Sequence, residues 1–242
     1  MKEDFMTDKK ERIAKVMAAA GLCSRRVAEE WILQGRVQVN GEVLKTPAFT
    51  VSEEDNVIVD GKPIAQKQET RLWCYHKPIG LVTTHKDPQG RPTVFEKLPA
   101  YLPRVVSVGR LDLNSEGLLL LTTDGALARE LEHPSKGWKR KYRVRIHGIL
   151  TPEIQKKLQK GVTIKGVKYA PCIAETERVQ GTNSWIQITL TEGKNREIRK
   201  LMEYFKMPVT RLIRISYGPF QLGNLEKGGV REITKKALKE LL

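Results

Sequence analysis

The stretch Gly109-Arg110-Leu111-Asp112-Leu113-Asn114-Ser115-Glu116-Gly117-Leu118-Leu119-Leu120-Leu121-Thr122-Thr123-Asp124-Gly125 places a carboxylate next to a basic side chain on a Gly-flanked turn. Val105 to Val108 before it reads as a short strand, and Leu118 to Leu121 after it as a buried one. Asp112 and Arg110 therefore sit on a loop between two core elements, where rigid scaffolds present chemistry. The same residues also suit a plain turn in which Asp112 caps backbone N–H groups. From this stretch alone both readings stand.

The chain has 242 residues, room for one large domain or two smaller ones. Its 43 Lys and Arg against 28 Asp and Glu leave a net charge of +15, which favours a polyanionic partner, nucleic acid first. An anionic membrane surface is the rival, but it requires a basic amphipathic helix or a lipid anchor. No apolar run reaches the ~18 residues of a membrane span, and residues 1 to 8 lack the apolar core of a signal peptide. A cytoplasmic location is the resulting expectation. Cys23, Cys74 and Cys172 are far apart and read as buried apolar residues, and the four histidines lack ligand spacing. No metal and no cofactor are expected.

Residues 11–61 read as a module of their own. Ile13, Val16, Met17 and Ala20 share one helical face that ends at Gly21. Ser24 suits the N-cap of a second helix, without a Glu or Gln at position 27 to complete a capping box, and Gly35 closes it. Residues 36–44 then read as a hairpin around Asn40-Gly41, a pair suited to a type I′ turn. Residues 62–70 are polar, without periodicity, and read as a flexible linker. Residues 71–242 carry short strand-like runs with helices expected over 126–132, 152–159 and 195–205. The strands do not alternate strictly with helices, so an α+β class is expected.

Four segments carry a family resemblance. Gly109-Arg110-Leu111-Asp112 followed by Ser115-Glu116-Gly117-Leu118 resembles the signature of pseudouridine synthases. His76-Lys77-Pro78-Ile79-Gly80 resembles their Lys-Pro-x-Gly turn, Lys141-Tyr142-Arg143-Val144 their Lys-x-Tyr segment, and residues 192–202 (EGKNREIRKLM) their last motif. The order and spacing resemble the branch that modifies ribosomal RNA and carries an N-terminal S4 domain, which residues 11–61 resemble in turn. Asn195-Arg196 in the last motif, in place of His-Gln, is similar to the B-type synthases of the large ribosomal subunit.

The resemblance implies a catalytic domain with a mixed, largely antiparallel sheet and a central cleft. It implies that Asp112 attacks as a nucleophile, that Tyr142 stacks on the target base, and that Arg199 pairs with Asp112; any role of Arg196 or Glu197 is left open by the departure from His-Gln. The implied reaction breaks the N1–C1′ bond of a uridine, turns the base and joins C5 to C1′. The base must first be flipped out of folded RNA, and Arg110 resembles a residue that fills the vacated stack. Arg25 and Arg26 open a helix whose N-terminus favours phosphate, and Lys139, Arg140 and Lys141 read as an RNA-facing edge. Arg211 and Arg214 are weaker candidates for phosphate contact. The expected partner is ribosomal RNA, bound by a monomer, most naturally 23S RNA, with 16S RNA as the alternative. A non-catalytic S4-type assembly factor also accounts for the charge, but leaves Asp112, Tyr142 and Arg199 without a joint purpose. A glycosidase or metal-dependent nuclease needs paired carboxylates or a metal cluster that no segment offers.

Overall fold

The computed structural model describes residues 10–240, the side chain of Pro134 excepted; the stretch 1–8 weighed above as a signal peptide lies outside them. Two compact units emerge, one built mainly from residues up to 70 and one from 71 onward, with residues 102–105 and 123–125 grouped with the first.

In the first unit, α1 (Ile13–Ala19) and α2 (Arg25–Leu33) bury Ile13, Met17, Ala28 and Ile32 completely. Ser24 caps α2 by accepting the Val27 N–H at 3.2 Å. The four-stranded sheet that follows comprises β1 (Val37–Val39), β2 (Glu42–Val43), β3 (Val57–Val59) and β4 (Lys62–Pro63), in the order β2-β1-β3-β4. Asn40 and Gly41 both have positive φ, 51° and 89°, as a type I′ turn demands. The linker boundary moves. Lys62 and Pro63 pair with β3 as an edge strand, where a proline is tolerated, and the Gln68 N–H donates to the Ala19 carbonyl. The polar run is therefore tied to its own module, which composition alone did not show.

The second unit is built on one nine-stranded mixed sheet. Its strands are β5 (Leu72–Lys77), β6 (Val106–Val108), β7 (Glu116–Thr122), β8 (Arg140–His147), β9 (Ile173–Gln180), β10 (Asn183–Leu190), β11 (Val209–Tyr217), the short Phe220–Gln221 and β12 (Val230–Glu232). The main order is β9-β10-β8-β11-β7-β5-β12, and every pairing is antiparallel except β11 with β7. Helices α3 (Gly125–Glu132), α4 (Pro152–Lys160), α5 (Glu197–Tyr204) and α6 (Lys235–Lys239) complete the α+β arrangement. Thr151 caps α4 with Pro152 at its first turn, as helix-start chemistry favours.

All seven residues of β7 are buried, which is why this run reads as unbroken leucine rather than as an alternation. Its parallel contact with β11 requires Gly117, at φ +108°. A Cβ there would stand 2.3 Å from the Arg214 carbonyl oxygen and 2.6 Å from its nitrogen. Cys23, Cys74 and Cys172 are free and buried. No helix of the described residues is long and apolar enough to cross a membrane.

Candidate active site

A cleft of about 810 Å³ opens on one face of the large sheet, and Asp112 stands on the loop that enters β7. That loop is held by its backbone. Thr83 Oγ1 donates to the Leu111 carbonyl at 2.9 Å and accepts the Leu111 N–H at 3.3 Å. The Gly80 N–H donates to the Leu113 carbonyl, and the Ser115 N–H donates to that of Asp112. Lys77 is fully buried at the end of β5 and donates from one ammonium to the carbonyls of Pro78, Asp112 and Ser115, at 2.9 to 3.1 Å. Burial lowers the Lys77 pKa to about 8, with Asp112 and Glu116 opposing the shift. The carboxylate itself is left uncommitted, its side chain 35% exposed to the cleft.

The cation nearest to Asp112 is Arg196, whose Nη1 lies 4.0 Å from Oδ2. Arg199, expected to pair with Asp112 directly, reaches the same loop differently. Its Nη2 donates to the Asn114 carbonyl at 2.7 Å and its Nη1 to that of Val209 at 3.2 Å. Arg199 thus braces the Asp112 loop against β11, while its charge acts on Asp112 only through space. Burial and the neighbouring Arg196 lower its pKa. The reason lies in the start of α5. Arg196 adopts a left-handed backbone, φ 52° and ψ 33°, which turns its side chain back over the cleft. Arg196→Gly removes the charge and the Cβ strain of about 1 kcal/mol together. We expect kcat/KM to fall roughly 3- to 10-fold, the range of a partly exposed ion pair, with Tm raised by the relieved strain, whereas Arg196→Ala, which keeps the Cβ, lowers kcat/KM alike and leaves Tm near that of wild type. Thermal melts beside tritium-release kinetics check this.

Tyr142 lies on β8 facing the cleft, 8% exposed, and strand alternation decides the fate of its neighbours. Arg140 shares its face and is buried, donating to the carbonyls of Trp138 and Thr191 and to the Tyr217 hydroxyl. Lys141 projects to the opposite face, and Lys139 is exposed before the strand begins. The basic run therefore does not form one RNA-facing edge. Arg140 is an internal tether, because period 2 sends its side chain inward. Arg110 is exposed on the cleft lining. In the first unit Arg25 and Arg26 are both exposed at the start of α2, and Arg25 joins Lys10, Arg12 and Lys15 around a recess of 380 Å³.

The sequence assigns no role to Lys77, Glu116 or Glu197, and all three are buried. Glu116, 1% exposed beneath the loop, is gripped by Arg211 and by Lys227 at 2.9 Å; burial pushes its pKa up, but those bonds hold it below the usual carboxylate value. Glu197, 3% exposed, accepts the Lys194 N–H at 2.9 Å, and burial with Glu192 nearby raises its pKa to about 7. A raised carboxyl pKa means that the folded state keeps a proton the unfolded chain has released. Stability is therefore lost as pH climbs from about 4.5 to 7. Glu197→Gln keeps the acceptor for Lys194 and should flatten that decline, so the gain in Tm over wild type is larger at pH 7.5 than at pH 5.

Residues 71–204 match the model of the RNA pseudouridylate synthase family, and residues 11–57 match the S4 domain. The chain belongs to the RNA pseudouridylate synthase family. It is 49% identical to an RNA pseudouridine synthase of Rickettsia felis over 95% of this chain and all of that one. It is 42% identical to the ribosomal large subunit pseudouridine synthase B of Yersinia pestis, over 96% of this chain and 76% of that protein. Among solved structures, a pseudouridylate synthase at 25% identity superposes with a TM-score of 0.67, over 96% of this chain and 99% of the other. In this chain the cleft is lined by both an acid, Asp112, and an aromatic ring, Tyr142.

Proposed function

We propose that this synthase isomerises a specific uridine of ribosomal RNA, in the large subunit, with Asp112 as the nucleophile. The observation that carries the reading is that Asp112 and Tyr142, 30 residues apart in sequence, line one cleft with Arg196 beside the carboxylate. The uridine flips out and stacks on Tyr142, an aromatic platform that every base can use. The Asp112 carboxylate attacks as the N1–C1′ bond breaks and the base is released. The base turns in place, C5 bonds to C1′, the carboxylate is freed, C5 loses its proton and N1 takes one up. Nothing is oxidised and no second substrate is consumed. Arg110 at the cleft rim holds the RNA where the base has left. Arg199 positions the Asp112 loop through Asn114 rather than by pairing with the acid.

The choice of large-subunit RNA is supported by the Yersinia pestis relative and by the Asn195-Arg196 motif. Residues 11–61 serve as the RNA-gripping module, with Arg25 and Arg26 on phosphates, and residues 71–242 as the catalytic domain of a cytoplasmic monomer. The test is to map pseudouridines in ribosomal RNA from cells with and without the gene, complemented with wild type or Asp112→Asn. One large-subunit uridine should lose its modification and regain it only with wild type. A lost site in the small subunit, or an unchanged map, would refute the proposal.

A further inference from the structure

Arg214 also lines the cleft, and nothing above explains its chemistry. It lies on β11 directly opposite Tyr142 of β8, so both side chains leave the same face of the sheet. On its other side the partner is Gly117 of β7, which presents no side chain at all. The residue is 3% exposed and lines the cleft floor. Its Nε donates to the Leu118 carbonyl at 2.6 Å, and its guanidinium carbon sits 5.1 Å from the centre of the Tyr217 ring. Nη2 is buried without a hydrogen-bond partner. Among the described residues no carboxylate lies within 4 Å of it, since Glu116 is held by Arg211 and Lys227. Arg140, the second buried guanidinium by Tyr217, by contrast has both terminal nitrogens hydrogen-bonded.

A buried charge with an idle donor is costly, and native structures keep one where a ligand supplies the acceptor. We infer that Arg214 reads the carbonyl edge of the target uracil, and that it does so both before and after the base turns. This rests on the reaction proposed above. Uracil is nearly symmetric about the line from N3 to C6. A half-turn about that line exchanges N1 with C5 and also exchanges the C2 carbonyl with the C4 carbonyl. A fork with only N–H donors, fixed at one flank of the base, therefore meets a carbonyl in either orientation. Cytosine breaks the symmetry, because its C4 amino group would face those donors in one of the two orientations. Donor would oppose donor in a buried place, the kind of mismatch that gives strong discrimination. Arg214 is thus a specificity residue that lets the base rotate without losing its hold.

The test uses the RNA stem-loop carrying the uridine found by the mapping, synthesised with uridine, 2-thiouridine or 4-thiouridine at the target. Sulfur is a weak acceptor, so wild type should slow on both thio substrates by about 10- to 100-fold, the value of a charged hydrogen bond. Arg214→Met should be slow on uridine itself and indifferent to either sulfur; Arg214→Lys, which keeps the charge but not the fork, should be intermediate. The inference is overturned if wild type turns over all three RNAs equally, a result that needs no variant. It is overturned equally if Arg214→Met keeps the thio penalty while its binding becomes less salt-dependent, which would mark Arg214 as a phosphate contact. Wild type that converts no uridine in any RNA would instead defeat the proposed function.

Discussion

Asp112→Asn should release no tritium above background from RNA labelled at uridine C5, a fall of at least about 10⁴-fold, the scale seen when a catalytic nucleophile is removed. The substitution is nearly isosteric, and every hydrogen bond that shapes the loop uses its backbone: Thr83 to Leu111, Gly80 to Leu113, Lys77 to Asp112 and Ser115. The fold and Tm should therefore be unchanged. RNA affinity should hold or rise slightly, since one negative charge leaves a basic cleft. Loss of chemistry with binding intact separates the nucleophile from a residue that merely builds the site. Residual turnover above about one percent of wild type would exclude Asp112 from that role.

The second large effect is structural. Gly117→Ala should destabilise the protein by about 4 kcal/mol or more, because the new methyl meets backbone on a neighbouring strand rather than a side chain that can swing away. For a chain of this size each kcal/mol moves Tm by about 2–4 °C, so a drop near 10 °C is expected by calorimetry. The positive φ adds to the cost, since no L-residue occupies it comfortably. A variant melting within 3 °C of wild type would show that β7 and β11 do not approach so closely. The damage should also reach activity in the material that still folds, as the displaced strand carries Arg214.

Period and punctuation made much of the fold readable. Asn40-Gly41 announces its turn, Ser24 its helix, and the leucines of β7 their burial. The site was legible where it depended on motifs and not where it depended on direction. Arg211 and Arg214 read alike in the sequence as weaker phosphate contacts, yet a spacing of three puts them on opposite faces: one grips Glu116, the other floors the cleft. The same alternation splits Arg140 from Lys141. The link between Arg199 and Asn114 spans 85 residues, and no local pattern reports which carbonyl a guanidinium will reach. The left-handed turn at Arg196 was hidden because arginine rarely adopts it.

The parallel contact of β7 with β11 has a consequence for how the molecule is born. The strand that enters from the Asp112 loop finds two neighbours close by in the chain, β5 and β6, and the third, β11, only after nearly a hundred further residues have been made. Arg199, its brace on Asn114 and Arg214 all arrive with that late segment, which also joins β8 and its Tyr142 to β7. While the polypeptide is still being synthesised, the acid sits on a half-built ledge with the aromatic ring not yet held beside it. Competence should therefore wait for β11, as expected for long-range strand pairing, and an emerging chain that still lacks that strand stays inert.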